Sequence, residues 1–101
     1  MLVQIVRYRS GLDDDEVRAT VESRAPAYMA VAGLVQKYYL RFPGSDEYGG
    51  VYLWASRESF QDFRESELAR TIPDAYRVTG TPQVEIADVS KVLYPRCATH
   101  A

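Results

Sequence analysis

Leu34-Val35-Gln36-Lys37-Tyr38-Tyr39-Leu40-Arg41-Phe42, then Pro43-Gly44-Ser45-Asp46, then Gly49-Gly50-Val51-Tyr52-Leu53-Trp54-Ala55, is the stretch on which the fold turns. Two runs rich in β-branched and aromatic residues flank a Pro-Gly turn signal, so strands are expected over 34–42 and 49–55. Alternation places Leu34, Gln36, Tyr38, Leu40 and Phe42 on one face of the first strand, and Val35, Lys37, Tyr39 and Arg41 on the other. The second strand sets Val51, Leu53 and Ala55 against Tyr52 and Trp54. Both faces therefore carry large apolar groups, where a face left to solvent would alternate to polar.

Upstream, Leu2–Arg9 reads as a strand ending at Ser10-Gly11. Asp13 with Glu16 three residues later is a capping-box start, and an acidic first turn suits the helix dipole. Val17, Val21, Ala25, Tyr28 and Met29 recur at helical spacing, Pro26 predicts a kink or break near Arg24, and Gly33 is expected to stop the helix. Downstream, Ser56 caps a second helix carrying Phe60 and Phe63, which continues irregularly toward Pro73. Thr79-Gly80-Thr81-Pro82 reads as a breaker and Gln83–Val89 as the fourth strand. Val92, Leu93 and Tyr94 offer a further edge segment before a loose tail over about 95–101. The order βαββαβ predicts a single α+β domain over 1–101 of ferredoxin-like type, a four-stranded antiparallel sheet with two helices on one face. Two helices cover one face only, so the other implies a homodimer joined through its open sheet.

Composition narrows the function. The 101 residues hold 12 basic and 14 acidic side chains, a net charge of −2, which lacks the basic stripe of a nucleic-acid binder. Hydrophobic residues at 47% with 12% aromatics describe a chain able to build a core. No apolar run reaches the length of a membrane span, and the start reads as no signal peptide. One cysteine, Cys97, forms no internal disulfide, so a cytoplasmic protein is expected. The only histidine, His100, stands beside the end of the chain; with Cys97 it supplies two ligands where a catalytic zinc needs about three, and no metal is expected.

Ala32-Gly33-Leu34-Val35-Gln36-Lys37-Tyr38-Tyr39 and Glu47-Tyr48-Gly49-Gly50-Val51-Tyr52-Leu53-Trp54 resemble the YdhR-type monooxygenases, with Glu58-Ser59-Phe60 and Val84–Val89 at matching places. The likeness runs from Gly33 to about Leu93, and its most specific part is the Glu47–Trp54 segment. The resemblance implies a dimeric α+β barrel, related to the antibiotic-biosynthesis monooxygenases, with a pocket between sheet and helices in each protomer. It also implies cofactor-independent oxygenation of a small phenol- or hydroquinone-like aromatic. Haem-binding relatives hold iron through a histidine in the helical half, and this chain has none there. Relatives also position substrate or dioxygen with an asparagine, and this sequence contains no asparagine; Gln4 or Gln36 offers the same amide on a longer stem. Glu67 stands near where the YdhR group carries a histidine.

The catalytic candidates are Lys37 and Trp54, with Tyr52, Tyr38, Tyr39, Tyr28 and Phe63 as substrate-binding residues. Lys37 interrupts an apolar strand; a desolvated ammonium has a lowered pKa and serves as a base, whereas a snorkelling lysine is merely structural. Trp54 stands at the strand-to-helix junction where related monooxygenases place a pocket tryptophan, and it reads equally as a core residue. Tyr52 shares its face. Asp13–Glu16 reads as a helix cap rather than a cation site, because consecutive helical acids diverge. The charges of 57–70 read as a solvated face, and neither a phosphate loop nor a Ser-His-Asp set is present. Two readings stay beside the oxygenase: a binding protein without turnover, and an isomerase or cyclase using the same base.

Overall fold

The even-numbered residues Leu2, Gln4, Val6 and Tyr8 point to one face of β1 (Leu2–Ser10), and that face organises everything packed on it. In this computed structural model, which describes residues 1–94, β1 is a central strand. It pairs antiparallel with β3 (Glu47–Trp54) on one side and with β4 (Val78–Asp88) on the other. β2 (Leu34–Arg41) closes the sheet beyond β3, in the order β2-β3-β1-β4. With α1 (Asp14–Met29) and α2 (Arg57–Arg64), this is the antiparallel α+β ferredoxin-like fold. The stretch after α2 forms two single-turn helices, α3 (Glu67–Arg70) and α4 (Ile72–Ala75).

The caps work as their chemistry requires. Asp13 Oδ1 accepts from the Glu16 N–H at 2.8 Å while Glu16 Oε1 accepts from the Asp13 N–H at 3.0 Å, closing the capping box. Ser56 caps α2 through the Ser59 N–H at 3.1 Å.

Of the kink or break expected at Pro26, the break does not occur: α1 continues to Met29. Proline removes one helix hydrogen bond, and here both Pro26 and Glu22, whose carbonyl is released, are exposed to water. Tyr28, beyond the proline, is buried and holds the last turn against the sheet. Gly33 is likewise not the helix stop. α1 ends with Ala30 as its C-cap, and Gly33, at φ +78°, turns the chain into β2 with Ser59 lying where a Cβ would project.

Thr79–Pro82 does not end before β4 but runs within it. The register between β1 and β4 shifts between Arg7 and Arg9, opposite Gln83 and Thr79, and the surplus residues form a bulge holding Gly80 at φ +71°. β4 is an edge strand, where a proline lacking its N–H is tolerated. Residues 89–94 add no strand, and Cys97, His100 and the tail over 95–101 lie outside the described residues.

Two buried clusters fill the space under the helices. Leu2, Tyr28, Tyr52, Trp54, Phe60 and Phe63 form one, and Val17, Tyr48 and Tyr76 the other. On the opposite face Val3 pairs with Leu53 and Ile5 with Val51, uncovered by any helix; Ile5 is 40% and Tyr38 59% exposed.

Candidate functional site

Gly50 lies on the helix-side face between Val6 of β1 and Tyr39 of β2. A Cβ there would meet the Tyr38 backbone carbonyl oxygen at 3.3 Å, Tyr52 Cε1 at 3.5 Å and Lys37 Cε at 3.7 Å. The room left by the missing side chain contributes to a cavity of about 240 Å³ between sheet and helices, edged by Tyr28 from α1, Phe63 and Arg64 from α2, and Tyr76 after α4. Among the described residues no aspartate or glutamate lines it.

Lys37 enters this cavity because it pairs with Tyr52 across β2 and β3 and so faces the helices. Its Nζ sits over three rings, 3.6 Å from the centre of Tyr28, 4.2 Å from Tyr39 and 4.4 Å from Tyr52. The ring faces attract the ammonium. Burial opposes them, and with the Arg24 guanidinium nearby it brings the lysine pKa down to about 7. An amine so placed is half neutral at pH 7 and takes up a proton readily. Burial pushes the phenols the other way: Tyr8, Tyr39 and Tyr52 are raised, and Tyr76 is pushed up to about 12. The phenols therefore stay protonated as hydrogen-bond donors.

Trp54 donates its indole N–H to Gln4 Oε1 at 2.9 Å. Indole has only a donor, so the carbonyl end of Gln4 is committed and its amide NH₂ remains for the cavity. The hydroxyls of Tyr28 and Tyr76 are buried without a hydrogen-bond partner among the described residues. Arg24 reaches the Leu68 carbonyl at 2.8 Å and Thr71 Oγ1 at 3.2 Å, tying α1 to α3 beneath the lysine.

Five of the seven candidate residues come together: Lys37, Tyr52, Tyr39, Tyr28 and Phe63 all line the cavity. Tyr38 does not. It stands on the open face of the sheet, 59% exposed, because its neighbours Lys37 and Tyr39 occupy the helix side. Trp54 does not line the cavity either. It is fully buried behind Tyr52, stacked on that ring with centroids 5.9 Å apart and against Phe63 at 5.2 Å. Of the two amides, Gln4 lines the cavity, whereas Gln36 accepts the Lys37 backbone N–H through its own side chain. Sequence reasoning missed Tyr8, Gly50 and Tyr76 in the wall; the alternation Gln4-Val6-Tyr8 was a usable signal for the first, and the irregular segment before β4 concealed the last.

Among the described residues no group of three His, Cys, Asp or Glu is placed to hold a metal, and no helix is long and apolar enough to cross a membrane. No protein-family model and no curated protein matches the chain. Solved structures do match. A protein of unknown function from Nitrosomonas europaea, NE2512, superposes with a TM-score of 0.75 at 18% identity, covering 93% of each chain. SnoaB, a cofactor-independent oxygenase from Streptomyces nogalater, gives 0.73 at 16% identity over 91% of this chain and 95% of its own. A provisionally designated antibiotic biosynthesis monooxygenase from Caulobacter crescentus gives 0.74 at 14% identity over 89% and 90%. Identities this low carry the architecture alone. The chain has the antiparallel α+β fold that structures of antibiotic biosynthesis monooxygenases also have.

Proposed function

We propose that this chain is a cofactor-independent monooxygenase acting on a small phenol-like aromatic in the cavity around Lys37. The observation that carries the reading is a buried amine, poised near neutrality, enclosed by aromatic rings with no carboxylate of the described residues beside it. SnoaB, with the same fold, is a cofactor-independent oxygenase and supports the reaction class. The Glu47–Trp54 segment supports a YdhR-like branch of that fold.

In this reading Lys37 takes a proton from an acidic C–H or O–H of the bound ring system. The anion passes one electron to dioxygen, and the resulting radical and superoxide combine at carbon. The carbon peroxide then loses water, leaving a carbonyl. One oxygen atom ends in product and the other in water, and the proton held by Lys37 returns to the departing oxygen. Tyr28, Tyr39 and Tyr52 exclude water and flank the ring, and the Lys37 ammonium offsets the anion's charge. We further propose a cytoplasmic homodimer joined through Val3, Ile5, Val51 and Leu53, the uncovered apolar face of the sheet.

The test is oxygen uptake by metal-stripped protein across a panel of anthrone-like phenols and hydroquinones. Saturable uptake that rises with pH through about 7 and disappears in Lys37→Met is the expected result. Undiminished uptake in that variant removes Lys37 from the chemistry, and tight binding without uptake assigns the cavity to a binding protein.

A further inference from the structure

Among the described residues the Lys37 amine has neither an ion-pair partner nor a hydrogen-bond acceptor. Lys37 meets the Gln36 side chain through its backbone N–H at 3.0 Å, not through Nζ. What holds Nζ is three ring faces, those of Tyr28, Tyr39 and Tyr52. Ring faces attract the N–H side of an amine and leave the nitrogen lone pair of its neutral form unengaged. The charged groups near it or in the wall, Arg24 of α1 and Arg64 of α2, are cations and oppose a further positive charge. Nζ also borders open volume, the cavity of about 240 Å³, where a buried structural lysine would meet packed atoms. A desolvated amine with a free lone pair, held beside empty space, is the arrangement of a lysine nucleophile.

We infer that Lys37 acts as a nucleophile as well as a base, and that the cavity captures small apolar aldehydes as an imine on its amine. The neutral nitrogen attacks the carbonyl carbon, a C–N bond forms, and the C=O π pair passes to oxygen, which takes a proton from the nitrogen. The nitrogen lone pair then expels that hydroxyl, which leaves as water with the second nitrogen proton. Amine and aldehyde give imine and water, and nothing is oxidised or reduced. A water-poor enclosure favours a condensation that releases water and slows the reverse hydrolysis. The size agrees: an apolar cavity of about 150 Å³ accommodates benzene, and one of about 240 Å³ admits a single ring with its carbonyl carbon. The oxygenase reading uses the same amine as a base, but imine formation needs neither dioxygen nor turnover.

Reductive trapping reads the imine directly. Folded protein is treated with benzaldehyde and cyanoborohydride at pH 7, and modification of each amine is followed by peptide mass mapping. The sequence holds two lysines, so Lys91, exposed after β4, is the internal control. Lys37 should react at least about ten-fold faster than Lys91, because an ordinary exposed lysine is almost wholly protonated at that pH. A pyrene carboxaldehyde, too large for the cavity, should modify Lys91 and spare Lys37. In guanidinium chloride, which removes the cavity, the two lysines should react alike. Equal rates in the folded protein, modification of Lys91 alone, pyrene trapped on Lys37, or selectivity that persists in guanidinium chloride overturns the inference. Selective trapping by a protein that takes up no oxygen overturns the oxygenase reading alone, and oxygen uptake without selective trapping overturns the imine alone.

Discussion

Replacing Lys37 by methionine swaps a buried amine for a neutral chain of similar length whose sulfur packs well on aromatic rings. The consequence for stability follows from linkage. Lys37 has its pKa lowered from 10.5 to about 7 in the folded protein, so between those values the unfolded chain binds more protons at this site. Stability of the wild type therefore rises with pH across that window. Below about 7 the amine is charged in both states and the full burial penalty applies; above 10.5 it is neutral in both and the penalty vanishes. At about 1.4 kcal/mol per pH decade, the step from pH 7 to 9 relieves at most two to three kcal/mol, discounted to about 2 for residual solvent contact and the attraction of three ring faces. The variant, with no ionisable group at this position, carries no such term. Urea denaturation of both proteins at pH 7 and pH 9 reads the difference directly. The advantage of Lys37→Met over wild type should shrink by about 2 kcal/mol between the two pH values. An advantage that stays constant would mean that Lys37 ionises like a surface lysine, and the base would be lost from the account.

Trp54 is a core group, so Trp54→Ala should lower stability by about 3–5 kcal/mol, whereas Trp54→Phe should fold and retain most of its oxygen uptake; a folded but inactive phenylalanine variant would return Trp54 to the chemistry. Gly50→Ala, whose methyl stands 3.3 Å from the Tyr38 carbonyl oxygen and beside Tyr52 and Lys37, should cost some stability and weaken binding of a two-ring ligand several-fold in the folded variant while one-ring phenols still bind, as titration calorimetry would show; equal affinity for the large ligand would place the binding volume elsewhere. Ile5→Lys, on the uncovered sheet face, should convert a dimer to a folded monomer in sedimentation equilibrium, and an unchanged association state would move the interface off that face.

Much of this arrangement was legible in local chemistry. The Asp13/Glu16 pair, the Ser56 cap and the Pro43-Gly44 turn are signals made by neighbouring residues, and each element they predict is present. Period-two alternation put Lys37 with Tyr39 on one face of its strand and Tyr52 with Trp54 on one face of the next, but left open which face of 34–42 meets the pocket; the β2–β3 register decides it by pairing Lys37 with Tyr52. Failures came where longer-range terms decide. The register of β2 on β3 slips between Leu34 and Gln36, so Leu34 packs into the core on the side of Lys37 although simple alternation assigns it to the other face. Pro26 and the Gly80–Pro82 bulge look like breaks in isolation, but a solvent-facing carbonyl and an edge position make both tolerable. Tyr76 lines the cavity from the short irregular segment between α4 and β4, where the chain turns at Arg77 with φ 47°, and no local periodicity marks it. Trp54 occupies the strand end expected of a pocket residue, yet Tyr52 stands in front of it.

The most direct test of the central claim is oxygen-isotope labelling. Metal-stripped protein is incubated with an anthrone-like substrate under ¹⁸O₂, and product and water are analysed by mass spectrometry alongside Lys37→Met. Cofactor-independent monooxygenation predicts one labelled oxygen in the product and one in water, formed by wild type and not by the variant. Product carrying no label, or label appearing equally with Lys37→Met, would contradict it.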